Sequence, residues 1–207
     1  IPWYSWYVGT PAFGQTEKLV PQPNNVRDFY GTGVTLNNNV SLSKGGEGYS
    51  IRVSYTNQNI KGMLPYSSSN KNTLNTTGNF DLGKYFTAGF NINMANQKIN
   101  GQFDDGYANQ SSGSFNQWFH RDLDLKKIKE YQGMYSPEGI LSSWNHNNPG
   151  NYLTSPLSFY GGNYWYNYYD WFENLGQTSN RNRMFGDVNL TFKPFKNFQV
   201  QGFVRRN

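Results

Sequence analysis

Apolar side chains in this chain recur at every second position, a spacing that predicts β-strands rather than helices. From Thr32 to Ser43, Val34, Leu36, Val40 and Leu42 fall on one face. Gly33, Thr35, Asn37, Asn39, Ser41 and Ser43 fall on the other, and Asn38 interrupts the apolar row. Lys44-Gly45-Gly46-Glu47-Gly48 reads as a tight polar turn. The next strand, about Tyr49 to Thr56, sets Tyr49, Ile51, Val53 and Tyr55 against Ser50, Arg52, Ser54 and Thr56. A second hairpin follows the connection Asn57–Asn72: Leu74, Thr76, Gly78, Phe80 and Leu82 alternate with polar residues, Gly83-Lys84-Tyr85 turns the chain, and Phe86, Ala88, Phe90, Ile92 and Met94 return. A third lies near the end, with Met184, Gly186, Val188, Leu190 and Phe192, a turn at Lys193–Asn197, then Phe198, Val200, Gly202 and Val204.

Three hairpins make about six strands of roughly 8–12 residues, near the length that crosses a bilayer at a tilt. Their turns are short, whereas the links between hairpins are long, above all that from about Lys98 to Asn182. Short turns on one side and long loops on the other is the asymmetry of an outer-membrane barrel. The expected class is therefore all-β, an antiparallel transmembrane β-barrel segment with long extracellular loops. Its lipid-facing positions would be Val34, Leu36, Val40, Leu42, Ile51, Val53, Phe90, Ile92, Val188 and Leu190. Tyr85, Phe86, Phe192, Phe195 and Phe198 gather beside the short turns, where an interfacial aromatic girdle would sit. The chain divides into an extracellular loop segment at 1–30, two barrel hairpins at 31–97, a long extracellular loop at 98–182 and a third hairpin at 183–207.

Composition sharpens this picture. Hydrophobic residues make up 36% of the 207 residues, but Phe, Trp and Tyr alone reach 18%, so long aliphatic runs are missing. A soluble core of this size would be dominated by Leu, Ile and Val. With a mean hydropathy of −0.78, no stretch approaches the roughly 20 apolar residues of a spanning helix. Barrels give a weak hydropathy signal by construction. There are no cysteines, which excludes disulfides and thiolate metal sites. The net charge of +5 is scattered and forms no nucleic-acid footprint. Ile1-Pro2-Trp3-Tyr4 has no signal-peptide character, so the expectation is a mature form or, better, an internal segment.

Inside the long loop, Phe115 to Tyr131 has a helical period, predicting a short helix near 116–131, with Asp122 and Asp124 ahead of Lys126, Lys127 and Lys129 as a helix dipole favours. Beyond it, 144–171 is dense in aromatics. Trp144, Tyr164, Trp165 and Trp171 are the candidate substrate contacts, since aromatic faces can stack on sugar rings or peptide. The same residues would equally serve a folded loop as its own small core.

Several stretches resemble a known family. Asn25-Val26-Arg27-Asp28-Phe29-Tyr30-Gly31-Thr32-Gly33 leads into Asn37-Asn38-Asn39-Val40-Ser41-Leu42-Ser43. Ile60-Lys61-Gly62-Met63-Leu64-Pro65, Phe119-His120-Arg121-Asp122-Leu123-Asp124 and Arg183-Met184-Phe185-Gly186-Asp187-Val188 follow in order. Over roughly 25–207 the chain resembles the barrel of SusC/RagA-type TonB-dependent transporters of Bacteroidetes. The resemblance implies a plugged barrel of about 22 strands in the outer membrane of a Gram-negative bacterium, importing large nutrients such as glycans or oligopeptides. It also implies TonB as energy source and a SusD-like surface lipoprotein as lid. Neither plug domain nor TonB box is recognisable here, so the expectation is an early-to-middle barrel segment.

Enzymatic chemistry is not expected. His120 and His146 stand apart, without an acid at ligand spacing, and no carboxylate pair suits glycoside hydrolysis. No cofactor is expected; Asp104-Asp105-Gly106 offers oxygens to a loop Ca²⁺ but lacks EF-hand spacing, and reads as a solvated turn. Two alternatives stand beside transport: a SusC-like barrel acting as a scaffold in a larger outer-membrane complex, and a secreted carbohydrate-binding β-sandwich.

Overall fold

A computed structural model of the chain describes residues 10–16, 18–102, 121–146, 153–161, 167–174 and 176–207. The described elements are α1 (Asn25–Phe29), β1 (Val34–Gly46), β2 (Tyr49–Lys61), β3 (Ser68–Asp81), β4 (Phe86–Gln102), α2 (Leu125–Glu130), α3 (Pro156–Tyr160), α4 (Tyr168–Asn174), β5 (Gln177–Phe195) and β6 (Phe198–Arg206). The fold is all-β, with a few short helices. All six strands join one sheet in sequence order, β1-β2-β3-β4-β5-β6.

β1–β2, β2–β3, β3–β4 and β5–β6 pair antiparallel, and the hairpin turns explain the register. In the first, Gly46 faces Tyr49 across Glu47-Gly48, and Gly48 takes φ +74°, a left-handed conformation that a side chain disfavours. In the third, Phe195 faces Phe198, and an irregularity between Phe192 and Phe195 shifts the ladder. β4 and β5 are neighbours although the long loop separates them in sequence. The Lys193 amide donates to the Tyr85 carbonyl (2.8 Å) at one end, and Thr178 Oγ1 donates to Asn100 Oδ1 (3.3 Å) at the other.

The strands run past the expected limits. The connection expected over Asn57–Asn72 shrinks to Gly62–Ser67, because β2 continues to Lys61 and β3 starts at Ser68. β5 has 19 residues and β4 has 17. The added residues are mostly polar, with Ile60, Ala95 and Ile99 on the face opposite the apolar rows, so the apolar alternation does not continue through them.

Contacts divide the chain into two compact units, drawn from 33–61, 68–100 and 178–207 (the sheet) and from 1–32, 62–67 and 101–177 (the loop unit). Every buried hydrophobic among the described residues belongs to the loop unit: Phe29, Leu123, Leu125, Ile128, Tyr131, Trp144, Phe159, Tyr160, Tyr168, Tyr169 and Phe172. The sheet has no such core, and β1 is exposed along its whole length on both faces.

Within the loop unit, the described helix near the expected 116–131 is shorter, Leu125–Glu130. Its start is set by Asp124, whose Oδ1 accepts from the amides of Lys126 (2.9 Å) and Lys127 (3.2 Å), satisfying first-turn donors. Arg121 and Asp122 form a turn before it, and 103–120 lie outside the described residues.

Candidate functional site

The register places side chains on two unlike faces. Rows on one face read Tyr49–Phe80–Ala88, Ile51–Gly78–Phe90, Val53–Thr76–Ile92 and Tyr55–Leu74–Met94 across β2, β3 and β4. β1 adds Val40 and Leu42 opposite Tyr55 and Val53. Gly78 makes room within this face: a Cβ there would lie 2.5 Å from Phe90 and 3.2 Å from Phe80, whose rings stack 6.1 Å apart. Near the short turns Phe86 stacks on Phe192 at 4.7 Å. The opposite face of β1 to β4 is mostly polar, Ile60 and Ile99 apart, and is knit by side-chain hydrogen bonds, such as Asn75 to Asn93 (2.6 Å), Asn93 to Asn91 (3.1 Å) and Asn39 to Thr56 (2.6 Å).

All ten residues expected to face lipid lie on the apolar face. Leu42 is 73% exposed and Val40 64%; Val34, Leu36, Val53, Val188 and Leu190 are also exposed, while Ile51, Phe90 and Ile92 are half-buried.

Toward the long-connection end the same face turns from apolar to amide. Asn57 Nδ2 donates to Asn72 Oδ1 (2.7 Å), Asn72 to Asn70 (2.9 Å), Asn70 to Asn59, and Asn59 to Asn57 (2.6 Å). Four amides thus close a ring spanning β2 and β3. Tyr55, at the edge of the apolar rows, donates its hydroxyl to Asn72 Oδ1 (2.7 Å). Beyond the ring, Lys61 and Lys98 flank a groove of about 480 Å³ that includes Asn59, Asn70, Asn100 and Leu36. The sequence reading missed this polar end. Its signal was the pair of Asn-x-Asn spacings at Asn57/Asn59 and Asn70/Asn72, whose amides share one face of a strand.

The four aromatic candidates divide. Trp144 is only 8% exposed and stacks on Tyr168 at 5.9 Å, in a cluster with Phe29, Leu125, Ile128, Tyr169 and Phe172. Trp171 is half-buried against the same cluster. Tyr164 and Trp165 lie outside the described residues. Trp144 therefore serves as packing, and of the two described candidates only Trp171 keeps appreciable surface.

Burial also governs the titratable groups here. His146 stacks on Phe159 at 4.4 Å, its Nδ1 lies 2.9 Å from the Phe159 carbonyl, and desolvation pulls its pKa down to about 4, against a smaller upward pull from that hydrogen bond. It is a neutral packing residue at neutral pH; His120 lies outside the described residues. Burial, more than the charge of Asp28, pushes Tyr169 up to about 12. Asp170 is raised, first by burial and then by Glu173, although it accepts from the Gly133 amide at 2.8 Å. Among the described residues no group of three His, Asp or Glu could hold a metal; Asp104, Asp105 and Gly106 lie outside them. No described helix is long and apolar enough to cross a membrane, which says nothing of strands.

A scan against protein-family models matched none, and a search of curated proteins found no match.

Proposed function

We propose that this chain is part of an outer-membrane β-barrel transporter of the SusC/RagA type, with the apolar face toward lipid and the amide-rich face toward a wet interior. The observation that carries the reading is a large sheet with one apolar face and no hydrophobic core of its own. In water, an exposed apolar patch of this extent would be a liability for association; in a bilayer it is the required outer surface. The dimensions support the same reading. Apolar and small residues hold one face from Phe86 to Met94 and from Met184 to Phe192. Eight residue steps cover about 26 Å along a strand, or about 20 Å along the membrane normal at a tilt of roughly 40°, against an apolar band of about 25 Å in known barrels. A β-sandwich would need a second sheet over this face, and the described strands all belong to one. Six strands are fewer than the roughly eight of small barrels, so closure in this reading requires further strands.

In this proposal the substrate is a glycan or oligopeptide, held by loop aromatics such as Trp171 beneath a SusD-like lipoprotein, with TonB supplying energy through other parts of the assembly. The absence of cysteine allows a clean test of the central claim. Single cysteines at positions 40 to 43, in protein reconstituted in lipid vesicles, are treated with membrane-impermeant and lipid-soluble thiol reagents. Val40 and Leu42 should react only with the lipid-soluble reagent, Ser41 and Ser43 with the water-soluble one. Equal reaction of all four with the impermeant reagent would refute the membrane reading.

A further inference from the structure

The groove at the long-connection end has the chemistry of an anion site set against an apolar surface. Lys61 pairs with Ser68, which pairs with Asn100; Asn59 pairs with Asn70, which pairs with Lys98. The two lysines therefore stand on strands either side of β3, on one face, with their Cα atoms about 12 Å apart by strand spacing and rise. Both are exposed, and neither forms an ion pair among the described residues. No Asp or Glu occupies this face anywhere along β1, β2, β3 or β4, so no acid of these strands neutralises them. The amides add donors. In the closed ring Asn59 and Asn70 each accept one hydrogen bond on oxygen and donate one, leaving each a second N–H to offer. Val34 and Leu36 form the apolar wall of the groove.

We propose that this groove binds the phosphorylated headgroup of a membrane lipid whose acyl chains run along the adjacent apolar face. This rests on the membrane reading above and adds a specific ligand class to it. Two ammonium groups with no carboxylate partner among the described residues, together with amide donors, suit a phosphate monoester or diester. The apolar wall and the neighbouring Tyr55, Leu74 and Met94 suit acyl chains rather than a free anion. Tyr55 lies at the junction, ring among the apolar rows and hydroxyl on the amide ring, as interfacial tyrosines are placed.

The test is native mass spectrometry of the purified protein, released from phosphatidylcholine nanodiscs doped with lipid A, a phosphorylated lipid. The wild type should retain lipid A over phosphatidylcholine, and the Lys61→Ala/Lys98→Ala variant should retain at least tenfold less. Lys61→Arg/Lys98→Arg, which keeps both charges, should retain it, as should Lys71→Ala, on the opposite face. Equal retention by the double alanine variant, equal retention of phosphatidylcholine by the wild type, or displacement of lipid A by millimolar inorganic phosphate would each overturn the proposal. Gel mobility of unboiled samples checks that each variant is folded. If the cysteine reactivity at 40–43 alternates while lipid retention ignores the lysines, this inference falls and the membrane reading stands; without alternation the reading itself falls.

Discussion

Leu42 offers the sharpest energetic test of which solvent meets the apolar face. It faces Val53, which faces Thr76, which faces Ile92, a row well inside the apolar stretch. With 73% of the residue exposed, most of its transfer energy is realised only if something outside the chain covers it. Full burial of a leucine contributes about 1.5–3 kcal/mol, so lipid covering that fraction contributes about 1–2 kcal/mol, lost in Leu42→Ala. Leu42→Arg goes further, since an arginine on the lipid face near the bilayer midplane costs about 2–4 kcal/mol. Ser41→Arg, one residue away on the polar face, should change stability by less than about 0.5 kcal/mol. The assay is reversible denaturant unfolding in lipid vesicles, followed by tryptophan fluorescence and by the gel mobility of unboiled protein. Equal losses for Leu42→Arg and Ser41→Arg, or negligible loss for Leu42→Arg, would refute the reasoning, because both faces would then meet water.

Four further outcomes follow from the packing. His146 has a folded-state pKa below its ordinary value of 6.5, so its stabilising contribution is complete above pH 6.5 and is lost as pH falls toward about 4. The loss amounts to about 3 kcal/mol, visible in Trp144 fluorescence, and His146→Phe should flatten the profile over that window. Trp144→Ala should cost the loop unit about 3–5 kcal/mol as a buried aromatic truncation, measured by hydrogen exchange of Leu125–Glu130. Trp171→Ala, with less buried surface, should cost less while weakening any glycan or peptide capture. Gly186→Ala would drive a Cβ onto the Asn91 carbonyl oxygen and to 3.0 Å from Ile92 Cα, parting β4 from β5, whereas Gly202→Ala meets nothing within 4 Å. The yield of folded protein should fall sharply for the first and hold for the second.

The sequence alone determined where strands begin to alternate and where they turn. Val34–Leu42, Tyr49–Tyr55, Phe86–Met94 and Met184–Phe192 carry a period of two that no helix could bury on one side, and Gly48 and Gly83 mark turns by the left-handed backbone they accept. Only the tertiary structure decided how far the strands extend. Asn57–Lys61 and Ser68–Thr73 carry a single apolar residue, Ile60, so their pairing is written in backbone hydrogen bonds and cross-strand amides, which leave little trace in hydropathy. The same holds for the aromatics of the long loop. Composition marks Trp144 and Trp171 alike, but whether an indole packs inside or stands at the surface depends on which distant residues surround it. Tyr168 stacks on Trp144, and Phe29, far away in sequence, joins the same cluster; that packing is settled by the folded chain.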